Sequence, residues 1–304
     1  MDKEKLLTWP PAVIFLALVC ALLWGSAFPM VKVGFKLLQI EHSTGGKLYF
    51  AAFRFLLAGL MIFAVLLLSG TPVLLRRRRD YAVVLLLGLV QTTLQYIFFY
   101  IGLSNTTGMK ASIISAAGSF FVALFSHWWV EGDSLTFKKN MGLMVGFLGI
   151  VLVNLRHNQF DFNFRITGEG FILCTTILSA TGMLIVKKTA VRIHPPLLSA
   201  YQLTLGSVVL LLITRATGSP TALHFSPASL LVFFYLSFLS AAAFSLWYVL
   251  VKYNQLTSMA VYRFLIPVSG TFLSAAILPG ESLNWVALVS LALVSLGMVL
   301  TTRK

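Results

Sequence analysis

Gly132-Asp133-Ser134-Leu135-Thr136 is the stretch that decides the fold of this chain, because it recurs as Gly280-Glu281-Ser282-Leu283-Asn284. Downstream of each copy, Leu148-Gly149-Ile150-Val151-Leu152 matches Leu296-Gly297-Met298-Val299-Leu300 at the same offset of 148 residues. The two halves of the chain therefore carry one pattern twice, with no gap between the two anchors. Many secondary transporters are built from duplicated membrane halves around a central site. The duplication favours carriage across a membrane.

The composition is that of a protein that crosses a membrane several times. The 304 residues are 58% hydrophobic and 11% charged, with a mean hydropathy of +0.90, whereas a soluble domain carries about 25% charged residues. A membrane-spanning helix needs about 20 apolar residues. Ten such runs lie at 11–38, 47–69, 81–103, 108–130, 138–155, 167–188, 196–215, 226–252, 257–279 and 283–301. The sequence thus predicts an all-α integral membrane protein with ten transmembrane helices and no soluble domain.

The distribution of basic residues predicts that both termini are cytoplasmic. With that orientation, 14 of the 23 Lys and Arg residues lie inside, 7 lie outside, and Arg54 and Arg263 lie within spans. Such an excess on the cytoplasmic side is the usual bias in membrane proteins, so the net charge of +14 indicates topology rather than nucleic acid. Five helices per half is an odd number, so the second half enters the membrane upside down. The prediction is two inverted five-helix repeats, 1–155 and 156–304.

Several motifs resemble the EamA-type carriers of the drug/metabolite transporter superfamily. Helix one contains Trp24-Gly25-Ser26-Ala27-Phe28 followed by Lys32, helix two contains Phe53-Arg54-Phe55-Leu56-Leu57-Ala58-Gly59, and helices four and nine end in the repeated turn. The resemblance covers nearly the whole chain. It implies two inverted bundles around a central cavity, and export or exchange of small metabolites, commonly amino acids. The turn departs from the family's usual Gly-Glu-Arg-Leu, since Ser134 and Ser282 replace the arginine.

Polar and aromatic residues within the spans are the candidates for contact with a solute, because such residues face a bundle interior or a wet cavity. Tyr100 and Tyr248 are 148 residues apart, so the repeat places two tyrosines near a common centre. In the alternative interpretation, the polar side chains bond between helices and the aromatic rings lie at interfaces. The predicted substrate-binding residues are Trp24, Ser26, Gln91, Gln95, Tyr96, Tyr100, Trp247, Tyr248, Tyr262 and Arg263.

Arg263 is the candidate for holding a negatively charged group. A guanidinium stays charged and binds a carboxylate or phosphate through two parallel bonds, and the related phosphate translocators are similar in placing basic residues on this helix. In the alternative interpretation, Arg263 reaches the lipid headgroups near the cytoplasmic end of its helix. For Arg54, near the outer end of helix two, structural anchoring is favoured over ligand contact. Interfacial anchoring is also the favoured interpretation of Lys187.

The sequence lacks residues that several alternative functions require. No carboxylate sits in the middle of a predicted span, which counts against proton-coupled export of cationic drugs. The sequence predicts no cofactor and no metal site, and the five histidines are scattered without a His-Glu-x-x-His motif. A membrane enzyme is therefore disfavoured. A flippase for lipid-linked intermediates and a multidrug exporter are the alternatives to a metabolite carrier.

The expected partners are a small-molecule metabolite and the lipid bilayer. Gly142, Gly146 and Gly149 form a small-residue stripe for helix packing or for contact in a homodimer. The short loops favour the plasma (inner) membrane of a bacterium. We thus expect a multi-pass carrier that exports or exchanges small polar metabolites by alternating access of two inverted bundles.

Overall fold

The computed structural model describes residues 3–106, 108–154, 164–217, 223–277 and 285–302. Within those residues, a short N-terminal helix, Lys3–Thr8, precedes ten long helices. These are α1 Pro10–Leu37, α2 Thr44–Leu68, α3 Arg78–Ser104, α4 Gly108–Trp129, α5 Phe137–Asn154, α6 Ile166–Thr189, α7 Pro195–Ala216, α8 Pro227–Tyr253, α9 Leu256–Ile277 and α10 Trp285–Thr302. The second copy of the repeated turn, 280–284, lies outside the described residues.

The helices are those of a membrane protein. Seven of them in the described part of the chain (α1, α2, α3, α6, α7, α8 and α9) are long and apolar enough to cross a bilayer. The all-α membrane class is therefore confirmed. That all ten helices cross, with both termini inside, stays a prediction.

The helix packing repeats when the two halves are exchanged. In the first half α1 packs on α8 and α9, and in the second half α6 packs on α3 and α4, which are the equivalent helices. Likewise, α2 packs on α8 as α7 packs on α3. The two largest contacts join equivalent helices to each other, α2 to α7 and α5 to α10. These contact surfaces each have a counterpart under the exchange that the 148-residue repeat defines.

Glycines at the contacts of α7 with α3 and α2 allow the helix backbones to approach closely. A Cβ added to Gly206 of α7 would lie 2.4 Å from the Gly88 carbonyl oxygen of α3, and one added to Gly59 of α2 would lie 2.9 Å from the Thr204 nitrogen of α7. Neither position can accept a side chain without movement of the backbone. Small residues at membrane helix interfaces have this role in general, since lipid offers no hydrophobic drive for association.

The small-residue stripe on α5 packs inside the chain. A Cβ on Gly297 of α10 would lie 2.5 Å from the Gly142 carbonyl oxygen and 3.0 Å from the Gly146 nitrogen, and one on Gly146 would lie 2.5 Å from the Phe264 ring. The stripe is therefore covered by α9 and α10. Of the two interpretations of this stripe, helix packing is correct. Gly142 and Gly146 leave no room for a homodimer contact because α10 occupies their surface, and a homodimer through another surface stays a prediction.

Three of the described helices are irregular: α6 begins with a π-helical segment, Ile166–Gly170, and α3 and α9 are irregular farther along. In α3 the turn Leu89–Leu94 is a wide π-helical turn, a distortion that is frequent at functional sites. In α9 the segments Leu256–Tyr262 and Leu265–Ile277 are separated by a break at Arg263. Pro267 causes this break, because it has no N–H for the Arg263 carbonyl and its ring crowds that oxygen. Ile266 donates to this carbonyl instead, at 3.1 Å.

A buried carboxylate connects the α4–α5 turn to the start of α9. Asp133 Oδ2 accepts from the backbone nitrogens of Leu256 (2.5 Å) and Thr257 (3.1 Å) and from Ser126 Oγ (2.6 Å). Asp133 Oδ1 accepts from Thr257 Oγ1 and lies 3.5 Å from Lys139 Nζ. The acid of the repeated turn therefore caps a helix of the other half, where a negative charge interacts favourably with the helix dipole.

Lys187 has a similar capping role at the end of α8. Its Nζ donates to the carbonyls of Val251 (2.9 Å), Lys252 (3.2 Å) and Asn254 (2.6 Å). The predicted anchoring of Lys187 at the lipid interface is wrong, because the ammonium group is engaged by the carbonyls that end a neighbouring helix.

Candidate functional site

The structure joins two of the predicted site residues in one buried network. Tyr248 of α8 bonds to the side-chain amides of Gln91 on α3 (2.5 Å) and Gln202 on α7. Gln202 Nε2 in turn donates to Thr92 Oγ1 at 3.0 Å. Each of these four side chains is at most 1% exposed. Three helices from both halves therefore meet at one hydroxyl.

The hydrogen bonds of this network orient the Gln202 amide. A phenol carries one proton, so Tyr248 can donate to only one of the two amides. Gln202 uses its NH₂ group toward Thr92, so its oxygen accepts from Tyr248. The Gln91 Oε1 atom lies 2.5 Å from the same hydroxyl and competes with Gln202 for its single proton. All of these groups are engaged with one another, which makes Gln91 and Tyr248 a structural junction in this conformation.

Three further predicted residues are also engaged in packing. The ring of Trp24 lies edge-on to Trp247, with 5.5 Å between ring centroids, and Trp247 is 2% exposed. Ser26 Oγ bonds to the Leu23 carbonyl at 2.8 Å and to the Tyr235 hydroxyl at 2.6 Å. For Trp24, Ser26 and Trp247, the structure thus shows contacts between α1 and α8. Tyr262 is buried at the end of the first segment of α9.

Arg263 points into the protein from the break in α9. Its Nη2 donates to Ser179 Oγ of α6 at 3.0 Å, and its Nη1 is buried without a hydrogen-bond partner in the described part of the chain. The alternative that Arg263 reaches the lipid headgroups is therefore wrong. No carboxylate among the described residues forms a salt bridge with it. Arg263 is half-buried, and a guanidinium with one buried nitrogen unpaired is costly in a membrane protein and marks a candidate binding site.

Gln95 lies against the same face of α6 as Arg263. Thr175 Oγ1 is 3.5 Å from the Gln95 backbone oxygen, and Thr175 is four residues before Ser179, which places the two on one face of α6 about 6 Å apart. The Gln95 Oε1 atom is buried and has no hydrogen-bond partner among the described residues. Gln95 of α3 and Arg263 of α9 thus contact α6 about one turn apart, and each carries a buried side-chain atom without a hydrogen-bond partner in the described part of the chain.

Arg54 is buried midway along α2. Its side chain contacts Ser240 of α8, with Nε and Nη2 at 3.3 and 3.2 Å from the hydroxyl, and stacks 4.5 Å from the centroid of the Phe55 ring. Arg54 is 5% exposed. The sequence alone favours Arg54 as an anchor near the outer end of its helix. The structure shows that this interpretation is wrong. Arg54 bonds to the centre of a helix in the other half.

Tyr96 and Tyr100 lie on the Arg54 side of α3. The Tyr96 ring packs on Phe55, with 4.5 Å between centroids, and lies 6.2 Å from the Tyr100 ring. No contact between the rings of Tyr100 and Tyr248 is recorded in the described part of the chain. Tyr96 thus contacts Tyr100, and the approach of Tyr100 and Tyr248 to a common centre stays a prediction.

Comparison with known proteins identifies the class. The profile of the EamA-like transporter family matches residues 11–155 and 166–303. The chain belongs to this family and is a multi-pass membrane transporter, and the predicted resemblance is confirmed. The family is one of transporters and not a known family of enzymes.

Individual relatives agree over nearly full length. An uncharacterized transporter from Archaeoglobus fulgidus is 27% identical over 292 residues, which are 93% of this chain and 94% of the relative. The uncharacterized transporter YvbV from Bacillus subtilis is also 27% identical, over 284 residues, which are 93% of this chain and 89% of the relative. One solved crystal structure overlaps with a TM-score of 0.80 at 17% identity, over 96% of both chains. That likeness shows the fold alone.

Proposed function

We propose that this chain is a secondary transporter that exports or exchanges small zwitterionic or anionic metabolites, amino acids above all. Arg263 holds the negative group of the cargo. The observation that carries the proposal is that Arg263 and Gln95, which contact α6 about one turn apart, each have a buried side-chain atom without a hydrogen-bond partner among the described residues. The Arg263 Nη1 group can only donate and the Gln95 Oε1 atom can only accept. A carboxylate and an ammonium group on one small molecule satisfy both.

Electrostatics favour a cargo with an anionic group over a cationic one. Arg263 has no acidic partner among the described residues, so a negatively charged ligand removes the cost of an unpaired buried charge. An organic cation increases that cost. The multidrug alternative is therefore disfavoured by the same side chain that supports the metabolite carrier.

The packing supports alternating access between two inverted halves. Tyr81 contacts Tyr201, and farther along both helices Thr93 donates to the Gly206 carbonyl at 2.7 Å, so α3 and α7 run in the same direction. Within one half, the second and third of successive membrane helices run in opposite directions. Because α7 is second and α3 third in their halves, parallel packing supports an inverted relation between the repeats.

A thermal-shift panel on the purified protein in detergent tests the proposal. The panel contains amino acids, their acetylated forms, sugar phosphates, organic cations and lipid headgroups, and it is run on the wild type, on Arg263→Gln and on Arg215→Gln. Arg215 is an exposed arginine near the end of α7 and serves as the matched control. A ligand at 100 times its dissociation constant adds about 2.7 kcal/mol to the folded state.

We expect stabilisation by zwitterions that is lost in Arg263→Gln and kept in Arg215→Gln. Stabilisation by organic cations or lipid headgroups alone contradicts the proposal and favours the multidrug exporter or the flippase. Stabilisation by zwitterions that persists in Arg263→Gln leaves the carrier in place and removes Arg263 from the site. Uptake by proteoliposomes of the stabilising compound then checks that binding leads to transport.

A further inference from the structure

Four consecutive arginines, Arg76–Arg79, lie at the start of α3 and in the loop before it, and all four are exposed. None of their guanidinium groups forms a hydrogen bond or a salt bridge within the described part of the chain. Positive charges near a helix N-terminus oppose the helix dipole, so the run does not stabilise the start of α3. The sequence predicts that this end of α3 is cytoplasmic.

A second basic segment lies beside the first. Asp80 Oδ1 is 2.9 Å from Arg192 Nε, which connects the start of α3 to the loop between α6 and α7. Lys188 and Arg192 of that loop are both exposed. Asp80 is the only acid in 70–81 and 187–201, and it is buried and engaged by Arg192. One loop from each half thus contributes to a basic surface, which consists of Arg76, Arg77, Arg78, Arg79, Lys188 and Arg192.

Two apolar side chains project beside these charges. Leu74 is 76% exposed and Val191 is 79% exposed. The backbone is held on both sides of Leu74, because the Tyr201 hydroxyl donates to the carbonyl of the preceding residue at 2.9 Å and the Tyr81 hydroxyl accepts from the N–H of the following residue at 3.2 Å. The rings of the two tyrosines are also in contact, with 5.9 Å between centroids. Leu74 is therefore presented outward by an anchored loop.

We infer that this basic surface binds the phosphate headgroup of an anionic phospholipid in the cytoplasmic leaflet, with Leu74 and Val191 against its acyl chains. Guanidinium groups bind phosphate through parallel charge-assisted hydrogen bonds. Attachment at a membrane surface increases with buried apolar area and with attraction to anionic lipids, and the two loops offer both. A soluble phosphate uses the charges alone and leaves the two apolar side chains exposed to water.

This inference goes beyond the influence of basic residues on topology and does not depend on the cargo. A bias on topology is complete once the chain has inserted, and it requires neither an anchored loop nor apolar side chains beside the charges. The basic surface shares no residue with the proposed cargo site at Arg263 and Gln95. Failure of either proposal therefore leaves the other unchanged.

Lipid binding by the purified protein in a neutral detergent tests the inference. Native mass spectrometry gives the dissociation constants of phosphatidylglycerol, of phosphatidylcholine with the same acyl chains, and of free glycerol phosphate. We expect phosphatidylglycerol to bind at least about tenfold more tightly than phosphatidylcholine, with a preference that falls as ionic strength increases. Equal affinity for the two lipids overturns the inference. Glycerol phosphate that binds as tightly as phosphatidylglycerol also overturns it, in favour of a soluble anion.

Two double variants with the same change of charge separate the basic surface from charge in general. Each basic residue near an anionic membrane surface strengthens binding by about fivefold, so Arg76→Gln/Arg77→Gln weakens phosphatidylglycerol binding by about 25-fold. The control Lys36→Gln/Arg215→Gln removes two exposed charges near the opposite ends of α1 and α7 and keeps the wild-type affinity. An arginine variant that binds like this control shows that the run acts on topology alone, which overturns the inference.

Leu74→Ser tests the apolar part of the surface without a change of charge, and it serves if the arginine variant does not fold. We expect it to weaken phosphatidylglycerol binding severalfold while the dependence on ionic strength stays as in the wild type. An unchanged affinity in Leu74→Ser contradicts the contact with acyl chains and overturns the assignment to a lipid.

Discussion

Replacing Asp133 by Asn tests whether the carboxylate at the α4–α5 turn holds the start of α9. The substitution keeps the size of the side chain and turns one of its two acceptor oxygens into an NH₂ donor. Oδ2 accepts from Leu256 N, Thr257 N and Ser126 Oγ, and Oδ1 faces Thr257 Oγ1 and Lys139 Nζ. Either orientation of the amide therefore opposes at least two donors.

The size of the effect follows from these contacts. Two hydrogen bonds to a charged acceptor contribute about 1.5–3 kcal/mol each. Lys139 keeps its bonds to the Ser134 carbonyl (2.8 Å) and Gln255 Oε1 (2.8 Å), which limits the cost of the charge that is left. We expect Asp133→Asn to lower the free energy of unfolding by about 3 kcal/mol.

The assay is unfolding in mixed micelles, with Asp80→Asn as the matched control. Asp80 Oδ1 lies 2.9 Å from Arg192 Nε, but the Arg192 side chain is 47% exposed, and such pairs contribute about 0–1 kcal/mol. The two substitutions are chemically identical and differ in the burial of the partner. Equal losses of stability from both would refute the conclusion that the Asp133 contacts hold α9 to the α4–α5 turn.

Three further substitutions test the packing, each followed by its free energy of unfolding in the same micelles. Tyr248→Phe leaves the Gln202 amide oxygen without its donor and costs about 1–3 kcal/mol; a neutral outcome would show that the amides find other partners. Lys187→Met removes the cap at the end of α8 and costs about 1–2 kcal/mol. An unchanged free energy of unfolding would favour the interpretation of Lys187 as an anchor at the lipid interface. Gly206→Ala costs about 1–3 kcal/mol through overpacking. The control is Gly170→Ala, whose added Cβ meets nothing closer than 3.6 Å. Similar losses of stability from the two substitutions would argue against close contact of α3 and α7.

The helices could be predicted from the sequence because each contains a long apolar run. The residues at which the helices begin could not be predicted in this way. The second apolar run begins at 47, but α2 begins at Thr44, since the Ser43 side chain accepts from Gly46 N at 2.9 Å and caps a polar first turn. The third run begins at 81, whereas α3 begins at Arg78. Hydropathy locates the part of a helix that is apolar. Capping determines where the helix starts.

The candidate site was predictable in part for a related reason. The sequence shows Gln91 and Tyr248 as polar residues on two spans, and the structure joins them. Gln202 was missed, because it gains its role only where Gly88 and Gly206 bring α3 and α7 together. Arg54 was placed near an end of its helix, since nothing local in the sequence shows that Ser240 lies opposite. Contacts between helices distant in sequence decide these roles.

The break in α9 has a consequence for how cargo and motion are related. The segment before the break packs on α4 and is held by Asp133, whereas the segment after it packs on α1 through Gly270. A change in the angle between the two segments therefore moves α1 relative to α4. Arg263 lies at that break, so the anion binding proposed for its side chain would act directly on the angle between the two segments.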